Sequence, residues 1–202
     1  MRAARLFAVT LISVGVLAYS SWLLEFVLST GLSPVDTPVW RLTVGGQPYR
    51  EVFRIAQVVA GTAFVLSGPP LVRLAPVHWT ARLTAASVAL LGVLVLAEAI
   101  FPGNAGVLLV TNLAFVLGTG SLLLWWPSGW RAFAATGLVL IVLTWVGVLV
   151  LDSPGVGHFG GLLSRIQMIV RVVLLAAGGC YVIRAPGTMS VSARVRALRA
   201  RP

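Results

Sequence analysis

Six stretches of this chain, residues 6–27, 53–72, 83–101, 107–126, 132–151 and 163–183, run for about twenty residues with almost no charge. Each is long enough for a helix to cross about 30 Å of hydrocarbon. In lipid, backbone N–H and C=O groups must be satisfied within the protein, so only helices or closed barrels can span. The runs are continuously apolar and lack the period-two alternation of barrel strands. The sequence therefore predicts an all-α membrane protein: a six-transmembrane-helix bundle over residues 1–185, followed by a short basic tail, 186–202. The first run follows Met1-Arg2-Ala3-Ala4-Arg5 as a signal peptide would, but it exceeds the 7–15 residues of a signal core. It is read as an uncleaved first span.

Only 10% of the residues are charged, against about 25% in soluble domains. The net charge of +10 comes from fifteen arginines and no lysine. Most flank the spans, which points to membrane topology and away from nucleic acid. With the N-terminus inside, Arg2, Arg5, Arg73, Arg82, Arg131, Arg184 and the four arginines of the tail lie on the cytoplasmic side. Only Arg41, Arg50, Arg54 and Arg165 flank the other side. The positive-inside rule thus predicts that both termini are cytoplasmic. The acids Glu25, Asp36, Glu51, Glu98 and Asp152 all fall toward the outer side. Trp79, Trp125, Trp126 and Trp130 sit at inner boundaries, where interfacial anchors belong. The tail arginines are expected to attract anionic lipid.

Residues 29–52 form the one long connection, rich in the turn formers Pro34, Pro38, Gly45, Gly46 and Pro48. They are expected to make an ordered cap on the outer face, with residues 39–44 as either a short strand or a turn of helix. Pro69-Pro70 is expected to end the second helix or kink its last turn. Gly92-Val93-Leu94-Val95-Leu96 reappears as Gly147-Val148-Leu149-Val150-Leu151, each copy leading to an acid and a Pro-Gly turn, which suggests a duplicated hairpin.

Arg171 is the one charge well inside an apolar run. On insertion scales an arginine at that depth costs roughly 3 kcal/mol. It shares a helix face with Ser164 and Gln167, at i, i+3 and i+7, and lies about 9 Å deeper than Arg165. The other segments place Glu25, Arg54, Gln57, Glu98, Asn112 and Asp152 in or near the same outer third, where Arg165 and Gln167 join them from the sixth segment as candidate pocket residues. Two readings of this polar ring stand side by side. In one, it lines an outward-facing pocket that takes lipid or a small amphiphile. In the other, it is an interhelical clasp in which Arg171 pairs with Glu98 or Glu25, and the protein is a structural or partner subunit. An intramembrane hydrolase-like enzyme is a lesser alternative, with His158, Asp152 and Glu98 as weak catalytic candidates. His78 and His158 fall on opposite sides and cannot share a metal, and the lone Cys180 allows no internal disulfide. No phosphate loop, zinc motif or dinucleotide fingerprint occurs, so no cofactor is expected. The oligomeric state is left open.

Three motifs carry a family resemblance. They are Gly46-Gln47-Pro48-Tyr49 leading to Val52-Phe53-Arg54-Ile55 and Ala60-Gly61, then Phe101-Pro102-Gly103, then Gly157-His158 through Leu162-Leu163-Ser164-Arg165-Ile166. Together with the six-span layout, these resemble the bacterial membrane family catalogued as domain of unknown function 998 (DUF998). There is a looser likeness to the FRAG/DRAM/Sfk membrane family, in the way the first outer loop runs into helix two. The chain has Arg41-Leu42-Thr43 where the family usually carries an acid followed by Leu-Gly, and Asn104 near where a histidine often stands. The resemblance implies a six-helix protein of a bacterial plasma membrane with no established activity. It directs attention to His158, Arg165 and residues 48–54.

Overall fold

The computed structural model describes residues 2–76, 78–151 and 159–184. Six helices carry the fold: α1 (Arg2–Tyr19), α2 (Arg50–Leu74), α3 (Trp79–Ile100), α4 (Ala105–Trp125), α5 (Ser128–Leu151) and α6 (Gly160–Arg184). No strand occurs among the described residues. All six helices are long and apolar enough to cross a membrane, counting the first span as Ala3–Phe26. Their outer surfaces agree: Leu17 is 74% exposed, Leu143 61% and Val27 81%. A soluble protein does not present apolar side chains over so much of its surface, and lipid is the solvent that accepts them. The chain is a multi-pass membrane protein.

The helices begin earlier than the apolar runs. α2 starts at Arg50 rather than at residue 53, α3 at Trp79 rather than at 83, and α5 at Ser128 rather than at 132. Hydropathy marks the part of a helix that sits in hydrocarbon, whereas its hydrogen bonding continues into the interface. Pro69 and Pro70 do not end α2, which runs on to Leu74. Each ring fixes φ near the helical value and removes one N–H, leaving the carbonyls of Val65 and Leu66 without their usual donors.

Each helix packs on its neighbour in sequence, and α6 returns to α1, so the bundle closes into a ring. The N-terminus of α1 and the C-terminus of α6 share one end, here the terminal end; the loop between α1 and α2 lies at the other, the loop end. Glycines set the closest crossings. A Cβ at Gly92 would stand 2.5 Å from the Val65 amide nitrogen and 2.6 Å from the Gly61 carbonyl, so α2 and α3 meet backbone to backbone. Gly147, the counterpart of Gly92 in the sequence repeat, instead faces Leu163 of α6. The two copies therefore turn to different partners, one outside its hairpin and one within it.

After Tyr19 the first span tightens into a 3-10 helix, Ser20–Phe26. The Ser20 hydroxyl donates back to the Val16 carbonyl (2.8 Å) at this transition. At three residues per turn, Tyr19, Trp22 and Glu25 line up on one face, and all three are buried. Residues 39–44, readable as strand or helical turn, contain the 3-10 turn Val39–Thr43. The loop lies against α6 and the α3–α4 turn. The Leu162 N–H donates to the Val35 carbonyl (2.9 Å), and the Val39 N–H donates to Ser164 Oγ (3.2 Å). Gly161 admits the loop backbone, since a Cβ there would meet Pro34 O and Thr37 N at 2.7 Å. Gly103, at φ +75°, lies under the Trp40 ring.

Candidate functional site

The polar residues of the loop half separate into two buried knots. The upper knot joins Arg165 on α6 to Glu25 on the 3-10 helix. Arg165 Nε and Nη2 donate to Glu25 Oε1 and Oε2, both at 2.5 Å, a bidentate pair. Arg165 Nη1 donates to the carbonyls of Thr37 (2.8 Å) and Gly161 (2.9 Å). One arginine thus ties α6, the first span and the loop together. The sequence places it on the outer flank and among the pocket residues; it is one of the most buried charges among the described residues.

The lower knot is built around Arg171. Its Nη2 donates to Asn112 Oδ1 (2.7 Å) and its Nη1 to the Tyr19 hydroxyl (3.2 Å). The guanidinium lies over the Phe115 ring, 4.8 Å from its centroid. Asn112 Oδ1 also accepts from Gln167 Nε2 (2.9 Å), while Asn112 Nδ2 donates to the Leu108 carbonyl (2.8 Å). The expected pairing of Arg171 with Glu98 or Glu25 does not form. Glu25 is taken by Arg165, and no Arg171–Glu98 ion pair exists among the described residues. Glu98 Oε1 accepts from Thr111 Oγ1 (2.8 Å).

Of the residues singled out in the sequence, Asn112, Gln167 and Arg171 meet directly. Arg54 stays at the rim, donating from Nε to the Ala99 carbonyl (3.1 Å) and lying 3.5 Å from Glu51. Gln57 stands beside Tyr19 and Met168, and its Oε1 has no partner among the described residues. Asp152 and His158 lie outside the described residues, as do residues 186–202 of the tail. Tyr19, Thr111 and Phe115 were not singled out, because a tyrosine, threonine or phenylalanine in an apolar span reads as ordinary packing. Their signal is positional: Thr111 and Phe115 flank Asn112 on α4, and Tyr19 precedes Glu25 by six residues, two turns of a 3-10 helix.

These side chains leave little room. The space bounded by Tyr19, Trp22, Gln57 and Met168 is about 30 Å³, enough for ordered water but not for a lipid headgroup. The large cavity is at the other end of the ring. It has a volume of about 310 Å³ and is walled by α1, α2, α3, α4 and α6. Its blind end is formed by Ile12, Leu91, Phe115 and Leu174. Phe115, the ring under Arg171, is therefore the boundary between the polar knot and the hollow. Among its larger apolar walls stand small residues, Ala81 and Ala85 on α3, Ala114 and Gly118 on α4, and Gly178 on α6. Arg5 and Arg73 stand at the terminal-end mouth.

The tryptophans at this end are not all interfacial anchors. Trp79 is 71% exposed, but Trp126 is 1% exposed and packs on Trp125, Trp130 and Tyr181 with ring centroids 5.2–6.2 Å apart. That aromatic knot joins α4, α5 and α6 beside the cavity. Trp125 Nε1 donates to Thr84 Oγ1 (3.0 Å), while the Trp126 indole N–H has no acceptor among the described residues. No group of His, Cys, Asp and Glu suited to a metal occurs among the described residues. Cys180 is exposed. No protein-family model, curated protein or solved structure matches the chain.

Proposed function

We propose that this is a multi-pass protein of a bacterial plasma membrane, with both termini cytoplasmic, that binds the hydrocarbon part of a lipid or small amphiphile in the terminal half of its helix ring. The polar layer of the loop half acts as a clasp that closes the ring toward the outer face. The observation that carries this reading is the apolar cavity of about 310 Å³ beneath a polar layer that leaves only about 30 Å³. That is the size at which small-molecule sites begin. The arginine bias of the terminal end supports the orientation. The three motifs and the six-span layout support membership of the domain of unknown function 998 family. The tail, residues 186–202, would then lie along anionic cytoplasmic lipid.

The polar pocket expected from the sequence is moved by this reading from the outer layer to the opposite end. The outer polar groups are largely engaged with one another, whereas the apolar side chains and small residues around the hollow below Phe115 leave it unfilled.

The test is extraction and mass spectrometry of the amphiphile carried by detergent-purified protein. Wild-type protein is expected to retain about one molecule per chain. Gly178→Leu should remain folded, because a Cβ at Gly178 meets nothing within 4 Å, and should retain several-fold less. Wild-type protein free of amphiphile, or equal retention by the variant, would overturn the reading.

A further inference from the structure

The amphiphile reading leaves the head group unspecified, and the mouth of the cavity supplies it. We infer that the cavity takes a single-chain amphiphile with an anionic head, a long-chain carboxylate, whose tail points toward Phe115 and whose head is held by Arg5 and Arg73. This rests on the proposed function and adds to it the chemical class and the direction of binding.

The first support is shape. From Phe115 to Trp125 the α4 wall rises ten residues, a depth of about 15 Å at 1.5 Å per residue. A volume of about 310 Å³ spread over that depth is one hydrocarbon chain wide. A two-chain lipid would have to leave one tail outside, in the membrane.

The second support is charge. Arg5 on α1 and Arg73 on α2 both line the cavity, and neither has an ion-pair partner among the described residues. The four described acids, Glu25, Asp36, Glu51 and Glu98, belong to the loop half, so among the described residues no acid neutralises these guanidiniums. Two planar forks beside an apolar shaft suit a carboxylate, which accepts paired N–H donors. A cationic head would meet repulsion at the same place. The third support is the buried Trp126 indole, which lines the cavity with an unused N–H donor.

The experiment compares equilibrium binding of dodecanoate and dodecanol, equal chains that differ in head charge, to the full-length protein in zwitterionic nanodiscs. Empty nanodiscs provide the blank. Charge-assisted hydrogen bonds at the mouth should make dodecanoate bind about tenfold more tightly. Arg5→Gln combined with Arg73→Gln should abolish that preference while leaving dodecanol binding intact. Arg82→Gln, which removes a charge at the same end but away from the cavity, should keep it. Equal wild-type affinity for the two probes, or a preference that survives the double change, would overturn the head-group assignment and leave the hydrocarbon site standing. Failure of the wild-type protein to bind either probe would instead overturn the site itself, and the head-group assignment with it.

Discussion

The two halves of this ring are cut from the same six helices and solve opposite problems. In the loop half, long polar side chains occupy the lumen, and Arg165, Arg171, Asn112 and Gln167 bond between helices, while Gln57 Oε1 and Arg171 Nε have no partner among the described residues. In the terminal half, Ala, Gly, Ser and Thr alternate with Leu, Val and aromatic side chains around the lumen, and a space of about 310 Å³ is left open. Phe115 divides the two, with Arg171 over its ring and the hollow against it. The lesson is that polarity within a membrane span does not by itself mark a binding site. A charge held by several helices closes a bundle, and small residues set among apolar walls leave one open.

The sharpest way to break the comparison is at its most buried charge pair. Glu25→Leu would leave Arg165 uncompensated and should lower stability by about 3–5 kcal/mol, read as loss of thermal stability in detergent. Adding Arg165→Met should recover most of that loss, because paired apolar replacement of a buried ion pair is often neutral. If the single change is harmless, the upper knot is not a clasp.

The lower knot should respond less. Asn112→Leu removes the oxygen shared by Arg171 and Gln167 and should cost about 2–3 kcal/mol, the penalty for leaving a buried charged donor short of a partner. Because the cavity lies on the other side of Phe115, amphiphile retention per folded chain should be unchanged. A variant that folds normally but loses its amphiphile would place the ligand in the polar half.

The smallest effects separate packed from hollow glycines. Gly92→Ala drives a methyl against the α2 backbone and should cost about 1–3 kcal/mol. Gly178→Ala enters open space and should cost nothing or gain up to about 1 kcal/mol through helix propensity. Equal losses at the two positions would mean that the terminal half is as tightly packed as the α2–α3 crossing.

Much of the fold was legible because the bilayer restricts the alternatives. Six apolar runs can only be six helices, and their order with short connections fixes an antiparallel bundle. The polar layer was also legible, since Arg171, Asn112 and Gln167 stand out against hydrocarbon. Who pairs with whom was not. Glu25 reaches Arg165 because the first span tightens into a 3-10 helix after Tyr19, which turns Glu25 inward, and hydropathy carries no trace of that change. Arg165 looked like a flank because it begins a helix, yet the loop folds over that turn and buries it. The cavity was the least visible feature. Its walls read as Ala81 and Ala85, or Ala114 and Gly118, at i and i+4, the same small-residue spacing that lets helices approach closely. Gly61 and Gly92 use smallness for contact, whereas Gly178 uses it for space, and only the three-dimensional arrangement distinguishes them.

An electron-density map of the protein crystallised from a lipidic phase tests the central claim most directly. The account predicts elongated, chain-like density between Phe115 and Trp125, ending beside Arg5 and Arg73, with only protein and water around Arg171. A shaft collapsed onto its own side chains, or amphiphile density lodged against Arg171 in the loop half, would contradict it.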